Sequence, residues 1–135
     1  GEKDEHTYVR LYRQFDGYGS GHGKELAEFL DGYKMVNGYT HEDIQETLNG
    51  GKVANGMGCL SAQAICHFKR GELGSFYLVT DDDCWQDFDY YVKVDHDDIL
   101  EKSTILVKVV SYKRTIMDWS SVSDFIEFCN KEEEE

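Results

Sequence analysis

Strand-like and helix-like apolar patterns occupy separate stretches of this chain, in the order strand, three helices, three strands and helix. Apolar and polar residues alternate from Thr7 to Phe15, which predicts a strand. Apolar residues then recur at helical spacing in three stretches. These are Lys24 to Tyr33, a short segment that Thr40 caps, and a stretch from near Asn55 to Arg70. Strands and helices that are segregated in this way form an antiparallel sheet with helices packed on one face. The sequence therefore predicts an α+β fold with a sheet of about four strands.

The second half of the chain is strand-rich up to its last helix. Ser75 to Thr80, Phe88 to Val94 and Thr104 to Tyr112 are short β-branched or aromatic runs separated by acidic turns, and they predict a three-stranded meander. We expect the first strand to join this sheet. Asp118 to Asn130 has helical spacing and predicts a closing helix. The inward-facing residues predicted for it are Val122, Phe125, Ile126 and Cys129.

Length and composition predict one globular domain over residues 1–135. The chain has 135 residues, of which 40% are hydrophobic and 13% aromatic, enough to bury one core and too many for a disordered chain. Residues 131–135 are expected to form an acidic, frayed tail. No apolar run approaches the ~20 residues that span a bilayer, and the four cysteines lack a C-x-x-C spacing. We therefore expect a protein of the reducing cytoplasm with free thiols and no membrane association.

The charge of the chain limits its partners. Formal net charge is −13, and nearly all of the acidic excess falls in residues 71–135. Such a field repels nucleic-acid phosphates, so direct nucleic-acid binding is disfavoured. The same asymmetry suggests an acidic inhibitor or nucleic-acid mimic that binds a basic protein partner. A simpler explanation of the acidic residues is that they keep the protein surface solvated.

Two glycine-bearing loops lead into predicted helices, and they carry the main functional hypothesis. One joins the first strand to the first helix, and the other is Asn55-Gly56-Met57-Gly58. Backbone N–H groups in such loops converge on anions, and the start of a helix adds partial positive charge. We expect both loops to form one pocket for a small anionic ligand such as a nucleotide. The predicted ligand-binding residues are Arg13, Asp16, Gly17, Tyr18, Gly21, His22, Gly23, Lys24, Asn55, Gly56 and Gly58.

Neither loop matches an established nucleotide motif. A phosphate-binding P-loop would need glycine in place of Tyr18, and a dinucleotide fingerprint would need glycine in place of His22. The alternative is that the glycines only allow tight turns, and that Gly58 only allows close helix packing.

Two stretches resemble small uncharacterised proteins encoded in bacterial and phage genomes. The first runs from Tyr12 to Leu26, with the pattern YRQFDGYxxGHGKEL, and the second is NGMGCL, from Asn55 to Leu60. The resemblance covers about the first half of the chain. It implies a shared fold and a phage-associated role, but it brings no established activity and no catalytic residues.

An enzyme of unidentified class is a further hypothesis, with His22 as acid or base beside Asp16 or a tyrosine and with Lys24 holding an anion. No spacing specifies a nucleophile, a base and an orienting group together, so the sequence favours a non-catalytic module. Neither a cofactor nor a metal site is predicted. The histidines lack H-x-x-x-H spacing, and the aspartate clusters at 81–83 and 95–98 lack a regular calcium-loop pattern, which is typical of solvated turns.

Overall fold

A computed structural model describes residues 11–13, 19–71, 73, 76–78 and 88–134 of the chain. The helices of this part are α1 (Lys24–Leu30), α2 (His41–Leu48), α3 (Gly56–Lys69) and α4 (Val122–Glu134). Its strands are β1 (Leu11–Arg13), β2 (Lys34–Val36), β3 (Val53–Asn55), β4 (Phe76–Leu78), β5 (Phe88–Asp97), β6 (Lys102–Ser111) and β7 (Arg114–Ser121). A kinked π-helical turn over Gly19–Gly23 leads into α1.

The strands of the described residues form three sheets, and the predicted α+β class is confirmed. β5, β6 and β7 form an antiparallel meander, β1 pairs antiparallel with β4, and β2 pairs in parallel with β3. The predicted single sheet is therefore divided. The first strand does pair with one of the later strands, since Arg13 lies opposite Phe76, but the pair stays separate from the meander in its hydrogen bonding.

The third strand of the meander is β7, which was not predicted from the sequence. Asp118 resembles a helix start, and the closing helix was therefore predicted to begin there. The capping hydrogen bond instead comes from Ser121, whose Oγ accepts from the backbone N–H of Asp124 at 3.1 Å. Residues 114–121 are thus free to pair with β6. At its other end α4 continues to Glu134, beyond the predicted end at Asn130, so the helix includes most of the predicted frayed tail.

The core lies between the inner face of the meander and the helices α1, α3 and α4. Alternation along β6 places Ile105, Val107 and Val109 on the inner face, where all three are buried. Helical spacing brings Phe125 and Cys129 of α4 onto the same core, and both are almost fully buried. The other members are Leu26, Ala27, Phe29 and Leu30 of α1, Ala54 of β3, and Leu60 and Phe68 of α3.

Cys59, Cys66 and Cys129 are free thiols, as predicted, and Cys84 lies outside the described residues. Across the described part of the chain, no helix has the length and apolar character needed to cross a membrane.

Candidate functional site

The first glycine-bearing loop is only partly within the described residues. Arg13 lies in β1, with its side chain outside the description, and Asp16, Gly17 and Tyr18 lie outside it altogether. Gly21 sits in the π-helical turn with φ −100° and ψ −106°, which kinks the backbone.

His22 and Gly23 are packed into the core. The His22 ring meets the rings of Phe68 at 5.3 Å and Tyr90 at 5.9 Å, both edge-to-face, and its side chain is only 14% exposed. Its Nδ1 lies 3.8 Å from Oε2 of Glu25. A Cβ on Gly23 would lie 2.7 Å from the Tyr90 hydroxyl and 3.1 Å from the nearest ring carbon. Glycine at position 23 therefore permits close packing against Tyr90.

His67 belongs to the same packed end of α3. Its ring lies 4.8 Å from that of Phe29 and 4.9 Å from that of Phe68. Burial, and then the neighbouring Arg70 guanidinium, holds the pKa of His67 below its usual range. The Arg70 Nη2 atom lies 2.8 Å from Nδ1 of His67, so the neutral ring can accept a hydrogen bond from Arg70. The His67 ring therefore packs against the rings of Phe29 and Phe68.

The second glycine-bearing loop lies at the carboxyl edge of the parallel pair. Val36 of β2 and Asn55 of β3 are the last paired residues, so both strands end at the same edge. α2 crosses between them, which makes β2, α2 and β3 a βαβ unit. The backbone N–H of Gly38, after β2, donates to Oδ1 of Asn55 at 2.8 Å and ties the two strand ends together. In open α/β sheets, ligand sites lie outside the carboxyl ends of the parallel strands.

Two helices begin at this edge, and the start of α2 is capped by its own side chains. Thr40 Oγ1 accepts from the backbone N–H of Asp43 at 3.2 Å, and Asp43 Oδ2 accepts from the backbone N–H of Thr40 at 2.9 Å. The hydrogen bond from that N–H holds the pKa of Asp43 below its usual range, and the hydrogen bond from the side chain of Lys34 is the next largest cause. A carboxylate thus already occupies the positive end of α2.

The start of α3 has no such cap. No side chain caps it at Asn55, and its first turn contains no acidic residue. Gly56 has φ +76°, and open space surrounds the position that a Cβ would take. The first N–H groups of a helix have no acceptor within the helix, so those of Gly56, Met57 and Gly58 carry partial positive charge at this edge. Gly58 itself is exposed.

A hydrogen-bonded polar group fixes the first turns of α3 against β3. Gln63 Nε2 donates to the carbonyl of Val53 at 2.9 Å and lies 3.3 Å from Sγ of Cys59. The Tyr33 hydroxyl donates to Oε1 of Gln63 at 2.6 Å. Burial, and then Cys59, raises the pKa of Tyr33, so this hydroxyl keeps its proton at neutral pH. Lys52 covers the Tyr33 ring at 5.3 Å.

The two halves of the predicted site lie at opposite ends of α3. His22 contacts Phe68, near the last turn, whereas Gly56 begins the first turn. From Gly56 to Phe68 the helix rises by about 18 Å. His22 therefore lies near the opposite end of α3 from Asn55, and a pocket shared by the two loops stays a prediction, because Asp16, Gly17 and Tyr18 lie outside the described residues. Lys24, at the first residue of α1, belongs to the His22 end.

Gly38, at the carboxyl edge, was not predicted as a site residue, whereas the neighbouring Tyr39 was among the tyrosines expected to favour a ligand. Gly38 and Tyr39 lie between β2 and α2, and Tyr39 is exposed. An Asn-Gly pair at residues 37 and 38, one residue before the Thr40 cap, was the available signal of a loop there. Among the described residues, no group of three or more His, Cys, Asp or Glu side chains lies close enough to hold a metal ion.

Comparison with known proteins gives no relative from which a function could be transferred. No protein family, curated protein or solved structure matches the chain.

Proposed function

We propose that this protein is a non-catalytic module that binds a small anionic ligand at the carboxyl edge of β2 and β3. The ligand's anionic group, a phosphate or a carboxylate, sits on the backbone N–H groups of Gly56, Met57 and Gly58. The proposal retains the predicted residues Asn55, Gly56 and Gly58 and does not need the first glycine-bearing loop. Free thiols in the described residues support a cytoplasmic location.

The observation that carries the proposal is the contrast between two helix starts at one edge. α2 satisfies its first N–H groups with Thr40 and Asp43, whereas α3 leaves its own without a side-chain cap. An unsatisfied helix start is stabilised by any anion that reaches it. The tie between Gly38 and Asn55 and the anchoring of Gln63 hold this start in place before a ligand arrives.

The neighbourhood suits a nucleotide better than a bare ion. Tyr39 is 63% exposed in the loop that Gly38 ties to Asn55. An exposed tyrosine offers a stacking face and a hydroxyl to a base or sugar. Gly58 is exposed to solvent, which leaves the phosphate position at the start of α3 accessible.

Substitution at Gly58 tests this assignment directly. Gly58 is the third residue of α3, the position that Asp43 holds in α2. Gly58→Asp should supply the missing carboxylate, so it should stabilise α3 while weakening ligand binding by about 1–3 kcal/mol. Gly58→Ala is the matched control, because it improves helix propensity by up to about 1 kcal/mol without adding charge and should preserve binding.

Calorimetric titration with inorganic phosphate, citrate and the adenosine and guanosine phosphates measures the binding, and thermal unfolding measures the stability. Weaker ligand binding together with higher stability in Gly58→Asp supports the proposal. Lys24→Ala distinguishes the two glycine-bearing loops, because it should leave binding unchanged if the ligand lies at α3. Failure of the whole panel to bind, or binding that survives Gly58→Asp, contradicts the proposed site.

A further inference from the structure

The meander ends in two exposed tips of opposite charge. The acidic tip is the last residue of β5 and the turn that leads to β6, residues 97–101, with the sequence Asp-Asp-Ile-Leu-Glu. The basic tip is the turn between β6 and β7 with the start of β7, residues 112–116, and it contains Tyr112, Lys113, Arg114 and Ile116. Because the two turns lie at opposite ends of β6, the tips are about 33 Å apart along the sheet.

The acidic tip presents two aliphatic side chains to solvent. Ile99 is 93% exposed and Leu100 is 71% exposed. Their backbone is nevertheless ordered, since Oδ1 of Asp97 accepts both N–H groups, at 2.9 and 3.1 Å. Glu101 follows with φ +50°, a conformation that glycine or asparagine adopts more easily. A built turn thus holds apolar side chains outward between carboxylates.

The basic tip is built in a comparable way. Tyr112 and Lys113 have φ +51° and +65°, as in a two-residue hairpin turn where Asn-Gly is the favoured pair. Bulky residues therefore occupy a turn that disfavours them. Tyr112 is 69% exposed and Ile116 is 42% exposed, beside the cations of Lys113 and Arg114. The chemistry of this tip complements that of the acidic tip in both charge and apolar surface.

We propose that a second copy of this chain covers both tips. A two-fold axis perpendicular to the strands reverses the direction of β6 in the partner, so each acidic tip meets the partner's basic tip. Two identical contacts form, each joining Ile99 and Leu100 to Tyr112 and Ile116 between opposite charges. The net charge of −13 does not prevent this, because charges further apart than about 8 Å are screened at physiological salt.

The proposal is independent of the anionic ligand, and the oligomeric state in solution tests it. Sedimentation of the full chain up to about 500 μM should show a monomer–dimer equilibrium, since contacts limited to the two tips bind weakly. Raising the salt concentration should weaken the dimer. Ile99→Ala should weaken it by about tenfold, because Ile99 would lie at the centre of each contact.

Charge reversal gives the sharper test. One variant combines Asp98→Lys with Glu101→Lys, and the other combines Lys113→Glu with Arg114→Glu. All four residues are exposed, so both variants should fold, which circular dichroism checks. Each variant alone should be monomeric because like charges then meet at both contacts, whereas an equimolar mixture should form a heterodimer in which both contacts regain opposite charges.

Three outcomes overturn the proposal. The wild-type chain remains monomeric at the highest concentration, the dimer persists in both reversed variants, or the mixture stays monomeric. Assemblies that grow beyond a dimer with concentration would show an open head-to-tail contact and would equally exclude the two-fold arrangement.

Discussion

The two glycine-bearing stretches look alike in sequence, but the structure uses them in different ways. At the first, Gly23 is buried under the Tyr90 ring, and His22 packs against Phe68. At the second, Gly56 borders open space and Gly58 is exposed, at a helix start that no side chain caps. A glycine next to a helix therefore indicates either close packing or an exposed backbone. In the second arrangement, the first N–H groups of α3 have no side-chain cap and lie at an exposed edge.

The largest expected difference between the two stretches concerns Gly23. Gly23→Ala should lower the free energy of unfolding by about 1–3 kcal/mol, because the new methyl group would overlap the Tyr90 hydroxyl and ring. Chemical denaturation measures this change. In a Tyr90→Phe background the loss should be smaller, since the closest overlapping atom is gone. Equal losses in both backgrounds would show that Tyr90 is not what excludes a side chain at position 23.

A smaller loss, with a different cause, is expected at Gly56. Gly56→Ala should lower the free energy of unfolding by about 1 kcal/mol, because φ +76° disfavours a side chain although the surrounding space is open. Gly56→Asn should cost less, since asparagine adopts positive φ more readily. The same denaturation experiment checks the pair. Losses that grow with side-chain size, whatever the backbone preference, would indicate crowding and would remove the contrast with Gly23.

The weakest expected effect is pH-dependent and confined to the packed end of α3. Because the folded-state pKa of His67 is lowered, the unfolded state binds the proton more tightly, and stability falls as pH drops below about 6.5. His67→Gln should flatten this dependence between about pH 7 and 5. Hydrogen exchange should show the acid-induced opening at Phe68 before Gly56. Uniform opening along α3, or an unchanged profile in His67→Gln, would contradict the assignment.

Local signals predicted the helices well. The Thr40 cap, the glycine that follows α3 and the apolar spacing of Phe125 and Cys129 all act within a few residues, so the sequence alone reveals them. β2 and β3 were missed because three-residue strands carry no measurable periodicity, and their parallel pairing depends on the crossover through α2.

Part of the candidate site was also predicted, because its sequence signal is local. Asn55 to Gly58 is a local entry into a helix and was identified as such. Its partner Gly38 is joined to it only by the non-local β2 and β3 pairing. The packing role of Gly23 depends on Tyr90, a distant residue in β5, and no spacing around the glycines indicates that contact.

The position of α4 has a consequence for the order of events during synthesis. Its side chains Phe125 and Cys129 complete a core that also contains residues of α1, near the start of the described chain, and α4 packs against both α1 and the π-helical turn. Contacts between such distant segments cannot form until both have been made. A nascent chain must therefore leave exposed the part of the apolar α1 surface that α4 covers until α4 leaves the ribosome, so a chaperone that shields this part should raise the yield of folded protein.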